Sequence, residues 1–284
     1  MRPDPSGSEN VNRGDPWQDI LLAVGLGAAR TVPLTWLVPA LGGPRVAPEI
    51  RVGLGLLLAV LCLPILLPLV GPVSSGGLAP KLTPPGPVGW VLLLIRELLV
   101  GLTVGLCTGA AFRAAEAAGR LVDTLRGANL AEVLSPTSDE RTSPTADLYS
   151  FVAIVLFLEM GGMGFLMTAL GRSYEAVPVG SPPSLAAFRS AAVLVTLTVA
   201  RLLESALALA APVLVALWIT DVALGMVGRS APQIPLYFAA MPAKALLGLG
   251  VALVGLGAVD AAWTAGLPAW MDLMQRAFTV WKTT

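Results

Sequence analysis

DVALGMVGRSAPQIPLYFAAMPAKALLGLGVALVGLG, residues 221–257, is mostly apolar, yet it carries Arg229, Gln233, Lys244 and three prolines. A water-soluble core does not have this composition. A plain lipid-facing helix does not keep charges so near its middle either. Polar groups at membrane depth are expensive, and they turn toward protein or a water-filled path. The stretch therefore predicts a membrane protein whose helices meet something besides lipid.

Composition points the same way. The chain has 284 residues, 55% of them hydrophobic and only 13% charged, with a mean hydropathy of +0.77. A soluble domain carries about 25% charged residues. The formal net charge is zero, which gives no electrostatic case for binding nucleic acid. The chain has no histidine, so a Ser–His dyad, an HExxH zinc site and a histidine proton relay are all excluded. No GxxxxGK[ST] loop is present, which removes that route to nucleotide hydrolysis. Cys62 and Cys107 each sit in an apolar run and read as small buried hydrophobes. The expectation is a protein without catalytic residues, cofactor or metal.

Residues 1–16 are polar and rich in Pro and Gly, which predicts a disordered tail before a single membrane domain over 17–284. A spanning helix needs ~20 apolar residues, and six or so regions approach this. The first, 17–41, holds Arg30, Pro33 and Pro39, and the second, 52–70, is interrupted at Pro64 and Pro68. The third starts near Val88 and continues through Arg113, Glu116, Arg120 and Asp123 to about Arg126. At ~1.5 Å per residue it would be ~58 Å long, against a bilayer core of ~30 Å. Either it bends back or much of it lies outside lipid. A polar segment, 127–144, follows. The fourth region, 148–170, has Glu159 before GGMG, and a loop is expected over 171–184. The fifth, 191–228, is too long for one span and has Pro212 at its centre, so a hairpin or kink is expected there. The sixth, 234–265, holds Lys244 and Asp260, and an amphipathic tail follows. The fold class is all-α, a multi-pass membrane protein of long, broken helical hairpins. Lys and Arg do not alternate between loops, so the chain gives no orientation.

Two features carry function at this level. Gly101, Gly105 and Gly109 form a GxxxGxxxG ridge, where another backbone can approach closely. The ridge is either a seam for a partner subunit or hairpin, or packing within this chain. Ionisable residues also stand in or beside apolar runs: Arg30, Arg96, Glu97, Glu159, Arg201, Glu204, Asp221, Lys244 and Asp260. Each would cost about 2.5–3.5 kcal/mol at the centre of an isolated lipid-facing helix. One reading is a secondary transporter in which Glu159, Asp221 or Asp260 couples an ion. The other is a subunit inside a larger assembly, where the charges meet other chains or water.

The run LGMVGRSAPQIPLYFAAMPAKALLGL strongly resembles the C-terminal signature of the FliR/SctT family of type III secretion export-apparatus proteins. That signature is an Arg, a Pro-Gln, an aromatic and a Met-Pro-x-Lys, here Arg229, Pro232, Gln233, Phe238, Met241, Pro242 and Lys244. Residues 96–144 look like the family's central segment, with the glycine ridge, the Ala118–Gly119 step, the Gly127 turn and the Pro136 loop. Arg30 followed by Pro39 matches its first helix. The resemblance covers roughly 17–265, and the Met-Pro-x-Lys form looks more like the non-flagellar branch.

The resemblance implies a structural and gating subunit of an export gate in the bacterial inner membrane, within the secretion basal body. Its implied partners are the R and S (flagellar P and Q type) subunits, the U-type switch protein and the exported unfolded proteins. It implies a plug in the segment matching 127–144, involving Gly127, Leu130, Val133, Leu134 and Pro136. It also implies subunit contacts at Gly101, Gly105, Gly109, Arg229, Pro232, Gln233, Met241, Pro242 and Lys244.

Overall fold

A computed structural model describes residues 16–43, 46–70, 86–127, 143–179, 185–230 and 236–254, with single helical positions at 257, 261, 264, 270, 272 and 275. Among the described residues every regular element is helical. Helix α1 spans Pro16–Leu37, and a 3-10 turn follows at Pro39–Leu41. Helices α2 (Pro48–Leu61) and α3 (Leu63–Val70) are separated at Cys62. The break lies just before Pro64, whose missing N–H suits a first turn and not a helix interior. Helix α4 runs Gly86–Leu125, α5 Pro144–Glu159, α6 Gly162–Ala176, α7 Leu185–Ser230 and α8 Leu236–Val254. Pro16, within the expected tail, begins α1; residues 1–15 lie outside the described residues.

Among the described residues three helices, over Ile20–Leu37, Gly86–Leu125 and Ala191–Ser230, are long and apolar enough to cross a membrane. A fourth crossing is available to α5 and α6 as one broken span, bent by 76°. The bend is made by Gly161, whose φ of +72° costs little only for a residue without a Cβ.

Two sequence expectations are corrected here. Pro212 makes no hairpin, because α7 is one continuous helix of 46 residues with Pro212 inside it. Leu209, Ala210 and Val213, buried around the proline, hold that turn against its neighbours while the lost hydrogen bond weakens it. The loop expected from residue 171 starts later, since α6 continues to Ala176 with Ser173 and Tyr174 fully buried.

Helix α4 is the centre of the molecule and packs against α1, α5 and α7. It does not bend back; it is continuous for 40 residues, or ~60 Å. Its glycine ridge meets α1 of the same chain. A Cβ on Gly101 would collide with the Arg30 backbone, one on Gly109 with the Leu37 carbonyl, and one on Gly105 would crowd Leu37 Cβ at 3.2 Å. Of the two readings of the ridge, packing within the chain is the one seen: these faces of the three glycines meet α1. The match of Gly101 to Arg30 and Gly109 to Leu37 makes α1 and α4 parallel.

A second parallel pair is α4 and α7. Cys107 meets Thr198 at 3.3 Å, and Arg126 and Leu217 both approach Gly248. Cys107 to Arg126 and Thr198 to Leu217 are equal steps, so the two helices run side by side in one direction. The remaining elements return. On α2, Gly55 O accepts from Thr31 Oγ1 (2.7 Å) and Arg51 O from Thr35 Oγ1 (3.0 Å). Ala146 of α5 lies against Gly119, and Phe157 packs edge-on against Phe112 at 5.1 Å. Lys244 of α8 reaches Asp221 of α7. The architecture is thus three parallel long helices, each with a returning partner.

The ridge generates a prediction. Gly101→Ala forces a Cβ into backbone and should destabilise the fold by about 1–3 kcal/mol, the usual cost of overpacking. Gly225→Ala meets open space inside α7 and should be neutral or stabilising by up to about 1 kcal/mol. Thermal melting of the co-expressed, detergent-purified complex checks both; equal melting temperatures for Gly101→Ala and the parent would refute the seam.

Candidate functional site: a buried arginine cluster and the anchor of a polar segment

Arg30 sits at the middle of α1 with no solvent exposure, and so does Glu97 on α4. Arg30 Nε donates to Glu97 Oε2 at 2.8 Å, with Nη2 2.5 Å from the same oxygen. Its Nη1 donates to Ser173 Oγ (3.3 Å) and its Nη2 to the Val177 carbonyl (3.0 Å). The guanidinium also lies 4.2 Å from the centre of the Tyr174 ring. One side chain therefore ties α1 to α4 and to the end of α6. Arg96 Nη1 donates to Glu97 Oε1 and to the Pro178 carbonyl, both at 3.2 Å.

The charge count of this cluster is two arginines to one glutamate. The excess positive charge is placed at the C-terminal end of α6, where helix carbonyls lack partners and the helix dipole is negative. That placement answers the sequence puzzle of Arg30, Arg96 and Glu97 in apolar runs: each is paired inside the chain.

A second cluster anchors the polar segment. Asp123, on the last turns of α4, is fully buried. Its Oδ2 accepts from Ser143 Oγ (2.5 Å) and from the Thr145 backbone N–H (3.0 Å), and its Oδ1 accepts from Thr145 Oγ1 (2.6 Å). Arg126 Nη2 completes the set at 2.7 Å from Oδ1. The carboxylate thereby caps the first turn of α5 from another helix, where free N–H groups favour a negative charge. Gly127, with φ of +80°, turns the chain out of α4. Gly127 and Ser143, the described residues on either side of 128–142, thus both stand close to Asp123. Arg113, Glu116 and Arg120 pair on the exposed side of the same helix at 2.8 and 2.6 Å, as their spacing predicts.

The remaining sequence candidates are placed as follows. Lys244, half-buried, pairs with Asp221 Oδ1, so its counter-charge is in the same chain. Arg201 and Glu204 form an exposed pair at 3.4 Å. Arg229 is exposed in the last turn of α7, Met241 is half-buried, Pro242 is exposed, and Glu159 is exposed at the end of α5. Of the three acids considered for ion coupling, Asp221 is thus neutralised and Glu159 faces outward. Asp260, Leu130, Val133, Leu134, Pro136, Pro232 and Gln233 lie outside the described residues. Ser173, Tyr174, Val177, Ser143 and Thr145 were not singled out in the sequence. A buried charge in each of two adjacent spans was the available signal for the first group. An Asp before a polar segment with a Ser-Pro-Thr after it was the signal for the second.

The sequence matches the bacterial export proteins, family 1, over residues 21–268. The chain belongs to this family. Its relatives include the surface presentation of antigens protein SpaR of Shigella flexneri, 29% identical over 228 residues, covering 79% of this chain and 81% of the relative. The secretion system apparatus protein SsaT of Salmonella typhimurium is 31% identical over 165 residues, covering 58% and 63%. The flagellar biosynthetic protein FliR of Pectobacterium carotovorum is 29% identical over 232 residues, covering 80% of each. SsaT, at 31%, is slightly closer in identity than this FliR, at 29%. This family member is an inner-membrane component of the type III secretion export apparatus and is not an enzyme.

The buried pair is directly testable. Arg30→Met or Glu97→Met alone leaves an uncompensated buried charge and should cost about 3–5 kcal/mol, whereas the double substitution should cost clearly less than the sum. Melting of the co-expressed complex carrying each of the four versions reads this; additive losses would mean that the two side chains are not coupled.

Proposed function

We propose that this export-apparatus component is a structural and gating subunit that forms part of the channel through which unfolded proteins cross the inner membrane. Its proposed partners are the R and S (flagellar P and Q type) subunits and the U-type switch protein. Residues 127–144 serve as the plug, with Leu130, Val133 and Leu134 as its packed end and the polar run from Ser135 to Ser143 as the displaceable part. Arg229, Pro232, Gln233, Met241 and Pro242 contribute to contacts with the other subunits.

The observation that supports this reading best is the anchor at Asp123. The carboxylate fixes the start of α5, at Ser143 and Thr145, to the end of α4, so in this proposal the plug is displaced without unpacking α4 or α5. Opening then costs only the apolar contacts at the segment's packed end. At ~25 cal/mol per Å² of apolar area this is on the order of a few kcal/mol, which a passing polypeptide can offset. A closed state that excludes ions and an open state that admits a chain can thus be close in energy. Helix length supports membership in an assembly. At ~1.5 Å per residue, α7 is ~69 Å long, more than twice a bilayer core of ~30 Å, and it exposes Leu203, Leu207, Trp218, Ile219 and Met226 along that length.

Deleting residues 130–136 tests the proposal. The expected result is an assembled complex whose membrane leaks ions and small dyes. An intact complex with unchanged conductance would sink the plug, since shortening an ordinary solvated loop alters no permeability.

A further inference from the structure

Arg126 closes the last turn of α4. Its N–H donates to the Val122 carbonyl at 3.0 Å, and the N–H of Gly127 donates to the Thr124 carbonyl at 3.2 Å. The polar segment begins at Gly127, whose positive φ turns the chain. The placement of Arg126 therefore sets the direction in which the chain leaves α4. Its side chain is only 10% exposed and is held at two places. The stem lies against α8: a Cβ on Gly248 would stand 3.4 Å from both Cβ and Cδ of Arg126. The head turns back to Asp123, with Nη2 2.7 Å from Oδ1. Glycine inside a helix is unfavourable, and at 248 it leaves the space that the arginine stem fills.

The two partners of this ion pair are held unequally. Asp123 has three further donors, Ser143 Oγ, Thr145 Oγ1 and the Thr145 N–H, so the carboxylate stays satisfied if the guanidinium leaves. Arg126 Nε is buried without a hydrogen-bond partner, and an idle buried donor weighs against this placement. The arginine, not the aspartate, is the side that can let go. What keeps its stem in place is the floor at Gly248, and that floor belongs to a helix with little enclosure. Among its described positions α8 buries Ala240, Gly248 and Ala252, while Leu246, Leu247, Leu249 and Leu253 are exposed. Its position is set along α7 by Leu217 beside Gly248 and by Asp221 paired with Lys244. These are equal and opposite steps along one antiparallel pair.

We propose that Arg126 is a positioning residue that couples α8 to the plug. While its stem rests on Gly248, its head stays on Asp123 and the root of the segment at Gly127 is fixed. A shift of α8 removes the floor, and the side chain and the root are released together. Helices α4 and α5 stay joined throughout, because Asp123 keeps Ser143 and Thr145. This inference rests on the reading of 127–144 as the plug and adds what controls it. Helix α8, open to the surroundings along Leu246, Leu247 and Leu249, is then the element through which the rest of the assembly reaches the plug.

The test is ion conductance of the assembled complex in planar bilayers, with thermal melting measured alongside. Gly248→Leu puts a side chain where the Arg126 stem lies and should raise the closed-state conductance several-fold while the complex still assembles. Gly248→Ala meets the stem at ordinary contact distance and should stay close to the parent. Arg126→Met keeps the stem and removes the head, and it should leak as Gly248→Leu does. Combining these two should add no further leak, since both break one link; additive leaks would overturn the coupling. Arg126→Lys keeps a charge within reach of Asp123 and should restore most of the closure. Lower melting temperatures with unchanged conductance would mean a purely structural role and overturn the proposal. The deletion of residues 130–136 in the same assay separates the failures. A leaking deletion beside tight Gly248→Leu and Arg126→Met overturns the coupling and leaves the plug standing, whereas a tight deletion overturns both. If Gly248→Leu does not assemble, Arg126→Met against Arg126→Lys decides: equal conductance in the two overturns the proposal.

Discussion

The contact between Arg30 and Glu97 is the interaction on which the packing of this molecule depends. It is an ion pair with both partners fully buried, and its neighbours are set by the need to satisfy every remaining donor. Glu97 lies one turn before Gly101, so the pair can form only if α1 comes close enough to touch the α4 backbone. The ridge at Gly101, Gly105 and Gly109 permits that approach. In turn, Arg30 needs acceptors beyond Glu97, and the end of α6 supplies them through Ser173 and Val177. The glycine seam, the charge pair and the terminus of α6 are therefore parts of one constraint. A buried ion pair of this kind is weak evidence for net stability; its effect is to exclude other registers, because any shift of α1 along α4 strands a charge.

The same logic separates the two halves of α4. Its N-terminal part presents apolar residues outward and hides Glu97, while its C-terminal part presents Arg113, Glu116 and Arg120 and hides Asp123. One buried carboxylate holds α1 to α4 and the other holds the end of α4 to the start of α5. A helix of ~60 Å that changes character along its length is suited to an apparatus component that is partly in lipid and partly against other protein. It is poorly suited to a self-sufficient carrier, and the placement of Asp221 and Glu159 agrees with that, since one is paired and the other faces outward.

Much of the fold was legible because membrane helices announce themselves by length and apolarity. The length of α4 and the interruption near Pro64 could be read from the residues, whereas the break at Gly161 fell inside a region read as one span. The family could be read from the Arg229 to Lys244 signature, and the family match spans that region. Pro212 left a hairpin and a kink both open, and only the hairpin is excluded, because a proline lowers helix propensity locally whereas packing against α4 decides whether the helix continues. The ridge could not name its occupant, since three glycines define a groove and say nothing of the chain that fills it. Lys244 could not name Asp221 because the pairing depends on how α8 returns along α7. Ser173 and Val177 were invisible for a similar reason: they are ordinary residues whose part in the cluster comes from where α6 ends.

The central claim is that this chain is complete only within an assembly, because its length and its exposed apolar faces exceed what a bilayer covers. Co-expression with the other small membrane proteins of the same secretion system, followed by gentle detergent extraction and size-exclusion chromatography, tests it most directly. The account predicts a stable complex containing this chain and its partners, and aggregation or loss of the chain when it is expressed alone. A monodisperse, thermally stable monomer that takes up no partner would contradict it.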